Sequence, residues 1–237
     1  MTIRGNRPVA LVTAGARGLG RAVTDALIAS GYRVLVTTSR AEGVRLPADN
    51  ARLLVTDLQD KDDAGRAVSS AIQAWGSLHL LVNNLGPYLE ESVAHTKPES
   101  FDHVVRANLA VPFGLAAAAI PFMRAGGGGT IINIGAVGAG AARGWRRRGA
   151  YMAAKSGLAS LTRTIAREER RHGIAAMMVS PSNIEDPDKE MAAPSTWERP
   201  PMGGDVARLV VFLADPASFY LSGNVIELMR RPPSTRH

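Results

Sequence analysis

Thr13-Ala-Gly-Ala-Arg-Gly-Leu-Gly20 follows a short apolar run, Val9–Thr13, and leads into Arg21–Ser30, where apolar residues recur at helical spacing. Glycines between a strand and a helix permit a tight turn. They also let an anion approach the backbone N–H groups of the helix N-terminus, which have no acceptor inside the helix. A glycine-rich loop alone says little, because many loops contain glycine. Placed about ten residues into the chain, at the end of a first strand, it points to the pyrophosphate cradle of a dinucleotide site. Thr13, Gly15, Arg17, Gly18, Leu19 and Gly20 are therefore candidate cofactor contacts. Ala14 stands where the first glycine of such a turn belongs, and adjacent Gly15 is expected to supply the flexibility.

The same strand-then-helix order repeats outward from this turn. Arg33–Thr37, Arg52–Thr56, Leu78–Asn83, Thr130–Ile134, Ile174–Ser180 and Asn224–Leu228 read as strands. Lys61–Trp75, Ala107–Met123, Tyr151–His172 and Asp205–Ala214 read as helices. Another helix opens at Thr96-Lys-Pro-Glu99, which has the form of a capping box with proline in the first turn. Wholly apolar strands alternating with helices imply a parallel sheet covered on both faces. The fold class expected is α/β, a single-domain Rossmann fold with a doubly wound parallel sheet over residues 1–230. Residues 231–237 are expected to form a disordered tail.

Several classes of function are excluded by composition. Among 237 residues there is no cysteine, so neither disulfides nor thiolate metal ligands exist, and the five histidines show no ligand spacing, so no metal site is expected. The longest apolar stretch, Ala107–Met123, is broken by Asn108, Pro112 and Pro121 and falls short of the ~20 apolar residues of a membrane span. No secretory pattern is visible, and a cytoplasmic location is expected. The net charge of +7 is mostly dispersed, and a single short basic run with one tryptophan lacks an element that would read nucleic acid.

The second strand ends Val36-Thr37-Thr38-Ser39-Arg40, without the acidic residue that would hold the ribose 2′-hydroxyl of NAD. Arg17, Ser39 and Arg40 offer donors for a 2′-phosphate, which favours NADP(H) over NAD(H). Alternatively, both arginines are simply solvated. Downstream, Tyr151-Met-Ala-Ala-Lys155 places a phenol and an ammonium at i and i+4, on one helix face. An ammonium beside a phenol lowers its pKa and suits it to proton transfer. Such a pair alone is usually only exposed surface.

Together these motifs resemble the short-chain dehydrogenase/reductase family over nearly the whole chain, and bacterial 3-oxoacyl-carrier-protein reductases in particular. Asp57-Leu58 is similar to the family's adenine-contacting pair, and Asn83-Asn84-Leu85-Gly86 to its Asn-Asn-Ala-Gly signature, with Asn84 and Gly86 as cofactor contacts. Asn108 matches the asparagine of the catalytic tetrad, and Tyr151 and Lys155 its Tyr-x-x-x-Lys pair. Pro181-Ser-Asn-Ile184 resembles the segment that meets the nicotinamide, through Pro181 and Ile184. The resemblance implies reduction of a carbonyl or acyl thioester, with Tyr151 as proton donor, Lys155 holding the nicotinamide ribose and Asn108 positioning a relay water. It also implies a homodimer or homotetramer.

One departure is serious. The family's catalytic serine falls on Ala136 when Ile-Gly is aligned, or on Gly138 when counted back from Tyr151, and neither carries a hydroxyl. Losing one oxyanion donor typically costs on the order of 10²–10³ in rate. A dinucleotide-binding protein with little turnover, a sensor or an inactive subunit, is the rival expectation. Arg143-Gly-Trp-Arg-Arg-Arg148, just before Tyr151, is either a solvated loop or a landing site for an anionic substrate or acidic carrier protein.

Overall fold

In the computed structural model, residues 7–47, 49–60, 62–182 and 202–229 are described. All seven expected strands form: β1 (Val9–Val12), β2 (Arg33–Thr38), β3 (Ala51–Val55), β4 (Leu80–Asn83), β5 (Gly129–Ile134), β6 (Ile174–Pro181) and β7 (Val225–Leu228). They make one wholly parallel sheet in the order β3-β2-β1-β4-β5-β6-β7. The order reverses between β1 and β4, and a crevice opens at such a switch point beyond the carboxyl ends of the strands.

The strands read as unbroken apolar runs because both faces are covered. Val9 and Leu11 point into one core with Leu81, Ile131 and Ala176; Ala10 and Val12 point into the other with Val82, Ile132 and Met177. The first core is closed by α2 (Asp63–Trp75), α4 (Val111–Ala125) and α5 (Gly149–Glu168). The second is closed by α1 (Gly18–Ala29) and α6 (Gly203–Ala214), which pack on each other. Each buried Leu, Val or Met contributes about 1.5–3 kcal/mol relative to exposure.

Three expectations need correction. The helix expected at Thr96 is α3 (Pro98–Val105), and no capping box forms: its N-cap is Lys97, while the Thr96 hydroxyl donates to the Ser92 carbonyl 3.0 Å away. Ala107–Met123 is not a separate buried helix either. It belongs to one helical run, Pro98–Ala125, in which Arg106–Ala110 is a π-helical turn joining α3 to α4. That run is long and apolar enough to cross a membrane, yet Leu115, Ala119 and Met123 are wholly buried in the first core, and Phe113 and Phe122 face outward. Finally, the helix expected to reach His172 stops at Glu168 and continues as a 3-10 turn, Arg170–His172. The tail 231–237 lies outside the described residues.

Candidate active site

The glycine turn is braced from the neighbouring strand end. Thr13 Oγ1 accepts the N–H groups of Asn84 and Leu85 at 2.8 and 2.9 Å, and the Asn84 amide donates back to the carbonyls of Thr13 and Ala14. Thr13 and Asn84 thus lock the ends of β1 and β4 together. Ala14 itself takes the left-handed conformation at φ +49°, which corrects the expectation that Gly15 supplies the flexibility. Gly15 is small for another reason: a Cβ there would lie 2.8 Å from Thr24 Oγ1 and 2.9 Å from Val12 Cγ1. At Gly20 a Cβ would lie 2.1 Å from the Ala14 carbonyl oxygen, so helix α1 can meet the turn only through glycine.

Helix α1 begins without a side-chain cap and without an acidic residue in its first turn. Its leading N–H groups remain free for an external anion. Beside them a hollow of about 230 Å³ is lined by Arg17, Thr38, Ser39, Asp57 and Leu58. Arg17 Nη2 donates to the Glu42 carbonyl, a neutral partner that leaves its charge uncompensated. Arg40 is exposed and does not line this hollow. The uncapped helix end and this hollow suit the pyrophosphate and adenosine portions of a dinucleotide.

A larger cleft of about 930 Å³ joins the turn to the helix-borne pair. Leu19, Asn84, Gly86, Ile134, Ala136, Tyr151, Lys155 and Pro181 all line it. Helix α5 brings Tyr151 and Lys155 in, one turn apart. The Lys155 Nζ lies 5.7 Å from the Tyr151 ring centroid and donates to the Ile134 carbonyl at 2.7 Å; the residue is only 3% exposed. Burial draws the Lys155 ammonium down to about 8 and pushes the Tyr151 phenol up to about 12. This corrects the expectation that Lys155 lowers the phenol. With its ammonium turned to the Ile134 carbonyl, desolvation of the ring governs.

Asn108 sits in the π-helical turn. Its Nδ2 donates to the carbonyls of Pro87 and Val104, each at 3.0 Å, so the side chain serves a carbonyl at the break in helical register. Its Oδ1 is buried and unpartnered. Gly86 lets this group approach: a Cβ there would lie 2.2 Å from Asn108 Oδ1 and 3.3 Å from Lys155 Nζ. Of the other expected contacts, Gly18 stands at φ +52° at the head of α1, and Ile184 lies outside the described residues.

The sequence profile of the short chain dehydrogenase family matches residues 8–196. YtkK of Bacillus subtilis strain 168, provisionally named an oxidoreductase, is 38% identical over 238 residues, covering 92% of this chain and 93% of its own. This chain is a short-chain dehydrogenase/reductase. It is also 28% identical over 233 residues to the 3-oxoacyl-[acyl-carrier-protein] reductase FabG of Escherichia coli K12, covering 93% and 95% of the two chains. A solved structure from Bacillus thuringiensis, provisionally named a 3-oxoacyl-reductase, matches it with a TM-score of 0.84 at 34% identity, over 94% of this chain and 96% of that one. The family comprises oxidoreductases that work with a nicotinamide dinucleotide.

In this short-chain dehydrogenase/reductase the two candidate serine positions differ in surroundings. Ala136 lines the cleft with Tyr151, without a hydroxyl. Gly138 stands at φ +86°, donates its N–H to Glu227 Oε1 at 2.7 Å, and a Cβ there would sit on a strained backbone 2.7 Å from Trp145 Nε1, which would have to move. Sequence reading overlooked Tyr88, whose ring meets the Tyr151 ring edge-on at 5.1 Å, and Glu90 on the cleft wall, while Trp145 and Ser182 were quoted within their motifs without a role of their own. Tyr88 could have been suspected from its place two residues beyond Asn-Asn-Leu-Gly.

Proposed function

We propose that this short-chain dehydrogenase/reductase uses NADP(H) to reduce a carbonyl to an alcohol, with Tyr151 as proton donor. One observation carries the reading: Leu19 of the glycine turn lines the same cleft as Tyr151 and Lys155. The turn from Thr13 to Gly20 would hold the pyrophosphate, Asp57 and Leu58 the adenine, and Arg17 with Ser39 a 2′-phosphate. Pro181 and Lys155 would hold the nicotinamide end. NADPH, when bound, supplies hydride.

The protein's own groups handle the proton. A phenol pushed up to about 12 keeps its proton at neutral pH and can give it to a carbonyl oxygen that is gaining negative charge. The Lys155 ammonium, held in place by the Ile134 carbonyl, would hold the nicotinamide ribose beside the phenol. Asn108 Oδ1, a buried acceptor without a partner, suits a bridging water that returns a proton towards Lys155. The FabG name supports a 3-oxoacyl thioester on an acidic carrier as one substrate, and the outward Phe113, Phe122 and Phe212 support burial against further copies of the chain.

The second reading, a binder with little turnover, is favoured by Ala136. NADPH oxidation across a panel of ketones and 3-oxoacyl thioesters separates the two. Reduction is expected, falling at least 100-fold in Tyr151→Phe with NADPH affinity retained, and Ala136→Ser is expected to raise kcat by on the order of 10²-fold. Tight NADPH binding with no turnover in either the native chain or Ala136→Ser would establish the second reading.

A further inference from the structure

Arg148 alone of the basic run reaches the cleft. Its backbone bridges to Glu91, and the residue lines the cleft with Tyr88, Trp145 and Tyr151. Its guanidinium carbon lies 5.4 Å from the Tyr88 ring centroid and 5.5 Å from that of Trp145. Two aromatic faces therefore fix a side chain that is otherwise long and mobile. The remaining basic residues of the run, Arg143, Arg146 and Arg147, are exposed.

The charge so fixed is not used up. Its nearest carboxylate, Glu90 Oε2, is 3.9 Å away, beyond hydrogen-bond reach, half exposed, and already accepts the Tyr88 hydroxyl at 2.8 Å. Among the described residues the Arg148 guanidinium makes no hydrogen bond, although the side chain is only 27% exposed. A guanidinium packed against two rings and without a hydrogen bond keeps the donors of its N–H edge unsatisfied. That edge matches the two oxygens of a carboxylate. The Tyr88 ring packs against both Arg148 and Tyr151.

From this arrangement we infer that the cleft selects carbonyl substrates that carry a carboxylate a few carbons from the reacting carbon, with Arg148 binding the carboxylate and Tyr151 facing the carbonyl. The inference rests on the reduction reading for its chemistry. Its selectivity belongs to Arg148 alone: the carboxylate holds one end of a short chain, and the distance to Tyr151 limits how long that chain can be. Such a substrate would bring to the cleft the orientation that a larger acyl carrier otherwise provides.

The test compares 2-, 3- and 4-oxocarboxylates with their methyl esters, and with acetoacetyl-coenzyme A, under saturating NADPH. At least one acid is expected to exceed its ester at least 10-fold in kcat/KM. Arg148→Met should erase that preference by raising KM for the acid more than for its ester, while Arg146→Met keeps it. Equal use of acids and esters, a preference that survives Arg148→Met, one lost equally in Arg146→Met, or a thioester preferred to every acid and indifferent to Arg148 would each overturn the inference. If no carbonyl is reduced at all, the reduction reading is what fails. Calorimetric titration of 4-oxopentanoate then decides the site separately: binding lost in Arg148→Met supports it, and no binding to the native protein rejects it.

Discussion

Lys155 carries a charge into the protein core for the sake of its neighbour. Buried, and hydrogen-bonded among the described residues only to the Ile134 carbonyl, it is drawn from 10.5 down to about 8. Below pH 8 both folded and unfolded chains hold the proton, so the folded state bears the whole cost of burying it. Between pH 8 and 10.5 the folded chain releases the proton first, the unfolded chain binds more, and stability rises with pH. The full cost is on the order of 3 kcal/mol. Lys155→Met removes the charge and also strips Ile134 of its donor, so the sign of its effect at pH 7 reflects two opposing terms. Its pH dependence does not: urea unfolding should show the variant losing ground to the native chain, by on the order of 3 kcal/mol, from pH 7.5 to 10.5. A difference that stays level across that range would mean that the ammonium is solvated.

The last turn of α4 is fastened to Glu169, the residue that caps the end of α5, by an ion pair. Arg124 Nε and Nη2 grip both oxygens of Glu169 at 2.7 and 2.5 Å, with Glu169 buried and Arg124 half exposed. The Arg124 hydrogen bond is the main cause holding the Glu169 carboxyl below its ordinary range. Its contribution to stability is present above that range and lost as acid protonates Glu169. Arg124→Met leaves a buried carboxylate without its partner and should cost about 2 kcal/mol at pH 7. The loss should shrink towards pH 4 in thermal unfolding, because protonation removes the unpaired charge. A variant equally destabilised at both pH values would show that packing of the arginine stem matters instead. This pair was invisible in the sequence, since residues 45 apart in the chain meet only once both helices lie on the sheet.

At the scale of the whole molecule, the switch point between β1 and β4 gathers loops from four strand ends around one crevice. A ligand that fits that crevice only in the folded chain stabilises it by about 2.7 kcal/mol at a hundredfold excess over Kd, which raises Tm by roughly 5–10 °C for a chain of this size. NADPH should produce that rise, and NADH a smaller one at the same concentration. In Arg17→Ala the advantage of NADPH should fall at least 10-fold in Kd, while NADH binding changes little. Equal shifts by both nucleotides in the native chain would remove Arg17 from any role in choosing between them.

Local pattern was enough for the strand–helix order, the doubly wound class, the glycine turn between β1 and α1 and the placing of Tyr151 and Lys155 on one helix face, because each depends on periodicity or on spacing within a few residues. Element ends were less legible. Thr96 had the cap pattern but bonds backwards to Ser92, and Ala14 accepts a left-handed backbone that glycine would hold more cheaply. What only tertiary packing decided concerns charge and company. It turned the Lys155 ammonium to Ile134, raised the Tyr151 phenol by burial, left Asn108 Oδ1 without a partner, and set Arg148 against both Tyr88 and Trp145. Desolvation and contacts between distant segments have no period in a sequence; they exist only after the chain has closed on itself.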